Sequence, residues 1–370
     1  MLRRPPASDL LNTAGEPESD AFSRRWNLIE AFVVMTLLLV ALWWIAYPFS
    51  VVGRANWANT AGRAVGWILA VFVLFIGPWL HRDTPASRGL GNPRRLFAAI
   101  SQRPALLGGL FCAGFVILTI LAYWNAPHIL RFLFRIPRAA TIQFQQTPLG
   151  KLVIFCGSAG FAWLWLTYVV RYDNFWPALH TGLRIVAWFL PPALLLALLV
   201  DGNAIWARFN LPQLAVSAFG YVFWGAFQQL VFCSYFGTRL RKGFGPASDP
   251  RKQRPRRLTV AALSGLFFGL IHVNSWWLVA LTWLLGTILS WVFMEDRNRN
   301  ILALGVVHGV LGTCRGWLFG RGSNFYISPH VGPWNAPATM DLMTLTYTSV
   351  VIVGFCAVIL SVFYKNENPP

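Results

Sequence analysis

The stretch that decides this chain runs from Gly225 to Gly312, and three pieces of it carry the reading: GAFQQLVFC (225–233), FGLIH (268–272) and HGVLG (308–312). In each, a polar side chain stands in an otherwise apolar run, and residues four apart share a helix face, which pairs Gln229 with Cys233, Phe268 with His272 and His308 with Gly312. Polar groups are costly within lipid, and three such clusters in consecutive apolar segments mark a functional site.

The surrounding composition makes those segments membrane spans. Of 370 residues 56% are apolar and 12% charged, and the mean hydropathy is +0.52, which excludes an ordinary soluble enzyme. About 20 helical residues cross the hydrocarbon core, and runs of that length recur. They predict an all-α, polytopic transmembrane bundle of about ten spans: 28–47, 64–80, 105–124, 152–170, 183–200, 214–240, 259–273, 276–294, 301–319 and 342–364. The first is expected to stop at Pro48, Pro191-Pro192 to kink the fifth, and 125–150, with Arg131 and Arg135 among apolar neighbours, to lie on the membrane surface as an amphipathic segment.

A net charge of +18 fits this topology without nucleic acid, because Lys and Arg concentrate between the spans. Most fall on the amino-terminal tail and alternate loops, the richest being 241–257, which reads as a solvated loop facing anionic lipid. The bias places both termini in the cytoplasm, in a bacterial inner membrane. The expected divisions are a disordered polar tail (1–25), a transmembrane scaffold (26–210), a core (211–320), and an outer loop with the last span (321–370). All five cysteines stand in apolar context without close pairing and are read as free thiols. Glu30 and Asp201-Gly202-Asn203 are read as structural.

The order and spacing of the three motifs resemble the CPBP family, also called the CAAX protease or Abi family of glutamic-type intramembrane proteases, over about residues 215–319. Its motifs are Glu-Glu-x-x-x-Arg, Phe-x-x-x-His and His-x-x-x-Asn. The second is complete here at Phe268 and His272, and the third keeps His308 but has Gly312 at its last position. Gln228, Gln229 and Cys233 stand where the first would have two glutamates and an arginine. The resemblance implies that Gln228 occupies the general-base position with His272 as its partner, that Gln229 is its neighbour, and that His308 and Gly312 mark the oxyanion site. The substrate it implies is a membrane-embedded or lipidated peptide, the other partners being lipid or a partner membrane protein.

A carboxamide takes no proton near neutral pH, and loss of a positioned base costs about 10²–10⁴ in rate. Ordinary family chemistry is therefore expected to be impaired. Three routes around the loss stand open: His272 as base with a glutamine orienting water, a Cys233–His272 thiolate pair, and zinc on Cys233, His272 and His308. The last lacks a close ligand pair, and no metal or cofactor is expected. Two functional classes follow: an intramembrane peptidase-like hydrolase activating water at a Gln/His site, or a catalytically silent relative serving as scaffold, partner-enzyme regulator or immunity-type factor.

Overall fold

A computed structural model describes residues 22–52, 56–134, 136–245, 250–273, 275–327 and 342–364. The expected disordered tail therefore falls largely outside the described residues, as does the outer loop from 328 to 341. Contacts group the chain into two compact units, the described residues of Met1–Gly89 with Asn174–Pro370, and Leu90–Asp173.

In chain order the helices are α1 (Arg24–Leu39), α2 (Asn56–Val71), α3 (Gly77–Leu80), α4 (Pro93–Gln102), α5 (Gly109–Phe134), α6 (Arg138–Gln146), α7 (Pro148–Leu164), α8 (Phe175–Asp201), α9 (Ala204–Ala207), α10 (Leu211–Gln229), α11 (Gly237–Phe244), α12 (Pro250–Leu270), α13 (Trp276–Phe293), α14 (Ile301–Leu318) and α15 (Leu342–Tyr364). There is no strand among the described residues. Among the described residues nine helical stretches are long and apolar enough to cross a membrane, so this is a multi-pass membrane protein. The expected span 259–273 is the one without such a stretch; it falls in α12, whose first two turns carry Arg251, Lys252, Arg254, Arg256 and Arg257, too much charge for an apolar window of full span length.

Three local readings are corrected. Pro48 does not stop the first helix, which continues as a wider π-helix from Val40 to Val52; its looser turns accommodate a residue that lacks an amide donor. The expected amphipathic segment 125–150 is divided: α5 runs through Pro127 to Phe134, α6 takes Arg138–Gln146, and α7 starts at Pro148. Nor is 241–257 simply a solvated loop: α11 and α12 take up most of it, and Arg257 is buried, bonding the Trp291 carbonyl at 2.5 Å and Glu295 at 3.0 Å. At Pro191-Pro192 the helix α8 is continuous.

The larger unit is built on a core in which Phe32, Phe236, Phe267 and Phe355 meet with ring centroids 5.1–5.3 Å apart. Without a hydrophobic drive between helices in lipid, close approach needs small residues. Helices α10 and α14 meet that way: a Cβ at Gly305 would stand 2.7 Å from the Ala226 Cβ, and one at Gly309 2.7 Å from the Val222 amide nitrogen. The entry to α14 is fixed by Asn174, which donates to the carbonyls of Asp296 (2.8 Å) and Arg299 (3.1 Å) and accepts from Asn300 (2.9 Å). Asn300 in turn caps α14 through the Ala303 amide at 3.1 Å. The smaller unit, α4 to α7, packs around Phe97, Phe111, Phe115 and Trp163, and Gln145 donates to the Tyr123 carbonyl at 3.0 Å.

Candidate functional site

Gln228 ends the face of α10 that α14 packs against, His272 lies just past the last turn of α12, and His308 is two turns into α14. All three are buried, and all three line one cavity of about 160 Å³. Apolar walls from α8, α13 and α14 enclose it, among them Leu190, Leu281, Leu285 and Leu311. Among the described residues the Gln228 carboxamide has no hydrogen-bond partner, so its polar end is presented to the cavity.

His272 lies beside Phe268, as the four-residue spacing predicts, although it stands just beyond the end of the helix. α12 ends at Leu270, the backbone turns, and the imidazole Nδ1 reaches back to the freed Phe268 carbonyl at 3.0 Å. A carbonyl oxygen only accepts, so Nδ1 carries the proton and, in the neutral ring, Nε2 holds the basic lone pair. His308 has the opposite arrangement. The Gln229 amide nitrogen donates to its Nδ1 at 2.9 Å, which leaves Nε2 of the neutral ring as a donor. The Phe268 ring stands against both imidazoles, with centroids 5.4 Å from each.

Gln229 does not line the cavity; it holds His308 from behind. Its amide oxygen accepts from the Cys233 thiol at 2.8 Å, the thiol lies 3.4 Å from the Ser290 hydroxyl, Ser290 donates to Ser264 at 2.9 Å, and Ser264 donates to the Phe232 carbonyl at 2.8 Å. This buried chain gives every member a partner, as polar groups far from water require. It also gives Cys233 a bonding role away from the cavity and from His272. Among the described residues no group of three or more His, Cys, Asp and Glu is arranged to hold a metal ion.

Two lining residues escaped the sequence reading. Tyr221 lies on the cavity with its ring against Gly312, where an added Cβ would come 2.6 Å from the Tyr221 ring, so the phenol fills the space that a larger residue at 312 would need. The signal was helical spacing, Tyr221 being seven residues before Gln228. Arg315, seven residues after His308 and on the same face of α14, also lines the cavity.

A second polar cluster lies in the same unit and outside the cavity. Glu30 accepts from Tyr235 at 2.7 Å and pairs with His81 at 2.6 Å; Asp83 pairs with Arg239 and, at 2.8 Å, with Lys242; Asn27 accepts from Arg239 at 3.0 Å. Glu30 is thus a structural tie between α1, the end of α3 and the helical run leading into α11.

Comparison with known proteins agrees in position with this geometry. The family model described as "Type II CAAX prenyl endopeptidase Rce1-like" matches residues 210–314, which include Gln228, Gln229, His272 and His308. No curated protein and no solved structure matches the chain. By that match, the segment from 210 to 314 is similar to the Rce1-like CAAX endopeptidases, over less than a third of the chain.

Proposed function

We propose that this protein is an intramembrane peptidase-like hydrolase of bacterial inner membranes, with both termini cytoplasmic, acting on membrane-embedded or lipidated peptides. The observation that supports it best is the pair of opposite imidazole arrangements on one cavity: a lone pair at His272 and a donor at His308. In this reading Gln228 orients a water, as a glutamine orients the nucleophile in GTPases. His272 Nε2 takes the proton of that water as its oxygen adds to the scissile carbonyl. The His308 N–H, held by Gln229, bonds the resulting oxyanion. Collapse expels the amine, which takes the proton back from His272, leaving a carboxylate and an amine.

A second reading, binding without hydrolysis, is favoured by the absence of any carboxylate lining the cavity among the described residues. The two are separated by incubating purified, reconstituted protein with a lipidated peptide and following cleavage by mass spectrometry. Cleavage that disappears in His272→Ala supports the hydrolase; no cleavage by the folded wild type supports the binding protein, and cleavage persisting in His272→Ala removes His272 as base.

A further inference from the structure

The smaller unit carries positive charge that its own residues do not offset. Between Leu90 and Asp173 the only acidic residue is Asp173, and its carboxylate is committed to Arg171 at 3.0 Å and 3.2 Å. Arg94 and Arg95, in the first turn of α4, and Arg103, just past its end, are exposed and have no carboxylate partner among the described residues.

α4 is amphipathic, and its apolar side is not fully covered by the protein. Leu96, Phe97 and Ile100 share one side of the helix, with Arg94 at its border and Arg95 opposite. Phe97 stacks on Trp163 of α7 at 5.7 Å and meets Phe111 of α5 edge-on at 6.0 Å. Phe97 and Trp163 still stand 40% and 44% exposed, and Leu106 and Leu110, in the next span, 58% and 63%. That span, Pro104–Arg131, begins two residues after α4 ends, so α4 stands at the level of the lipid headgroups, where basic and tryptophan side chains gather.

Water alone would solvate three exposed arginines. What selects a lipid is that the cations border an exposed apolar and aromatic surface at the one depth where a bilayer presents phosphate above acyl chains. A net negative headgroup gains about fivefold in affinity for each basic side chain near it.

We infer that α4 and the adjoining Phe97–Trp163 surface bind an anionic phospholipid, its headgroup attracted by Arg94, Arg95 and Arg103 and its acyl chains lying over the exposed rings.

The test reads lipid contact at α4 itself. Full-length protein with a benzophenone side chain at Ala98, an exposed position of α4, is placed in nanodiscs of equal phosphatidylglycerol and phosphatidylcholine, irradiated, and its lipid adducts identified by mass spectrometry. Phosphatidylglycerol adducts are expected to exceed phosphatidylcholine adducts by about 10- to 100-fold, and by less at high salt. Replacing all three arginines, Arg94→Gln/Arg95→Gln/Arg103→Gln, should bring the ratio close to one without changing the melting temperature, since none is buried. The corresponding triple replacement by Lys should keep most of the preference, because the attraction is to charge, and Arg131→Gln, at the opposite end of the span, should keep all of it. Equal adducts in the parent protein, no lipid adduct at all, or an unchanged ratio in the folded triple Gln variant overturns the inference.

Discussion

At the scale of single residues the site is defined by which nitrogen of each imidazole is committed elsewhere. His272 spends Nδ1 on the Phe268 carbonyl, and His308 spends Nδ1 on Gln229. Gln229 is thus a positioning residue, and Gln229→Leu should strand the His308 ring nitrogen and leave the Cys233 thiol only its 3.4 Å contact with Ser290. An unmet buried polar group costs about 1–3 kcal/mol, so a drop of that size in unfolding free energy is expected, read by thermal or denaturant unfolding in detergent. Tyr221 and Gly312 supply a second case. Gly312→Asn would restore the side chain found at this position in the CPBP motif but drive it into the Tyr221 ring, so destabilisation by about 1–3 kcal/mol is expected from overpacking. The double variant Gly312→Asn/Tyr221→Ala should regain stability; a double-mutant cycle showing simple additivity would contradict the contact.

At the scale of elements, the instructive case is α12. Its amino-terminal half is basic and its carboxy-terminal half apolar, so composition alone gives neither a clear span nor a clear loop. We propose that it crosses the membrane, its arginine-rich start lying at the cytoplasmic interface, where Arg257 stacks over Trp291 at 4.0 Å and pairs with Glu295. With the nine stretches of span length among the described residues this makes ten. Reporter fusions truncated after Gly245 and after Ser275 should then report opposite sides of the membrane; the same side for both would leave α12 as a surface or re-entrant helix.

At the scale of the molecule, the larger unit is tied at a point remote in sequence from its cavity residues. Asp83, in the turn after α3, pairs with Arg239, which is fully buried, and with Lys242. Removing one partner of a buried pair costs about 3–5 kcal/mol, so Asp83→Asn should lower unfolding stability by that order. The cavity depends on this unit staying assembled, so ligand binding at the working temperature should weaken in proportion to the unfolded fraction. A melting curve identical to the wild type would show that the pair contributes nothing net.

What the sequence determined by itself was the solvent and the period. Long apolar runs fix helices in lipid because no other open structure satisfies the backbone there, and the four-residue spacing of Gln229 and Cys233 survives as a direct 2.8 Å bond. Motif order brought out Gln228, His272 and His308, since costly polar groups in spans stand out against their neighbours. What only the tertiary structure decided was where helices end and what faces what across a gap. His272 left its helix because the last turn frees a carbonyl for it, Gln229 turned away from the cavity to hold His308, and Tyr221 and Arg315 entered it from two helices. Two of the contacts involved, Arg315 with Ile327 and Gln229 with His308, are distant in sequence, and local pattern carries no record of such pairings.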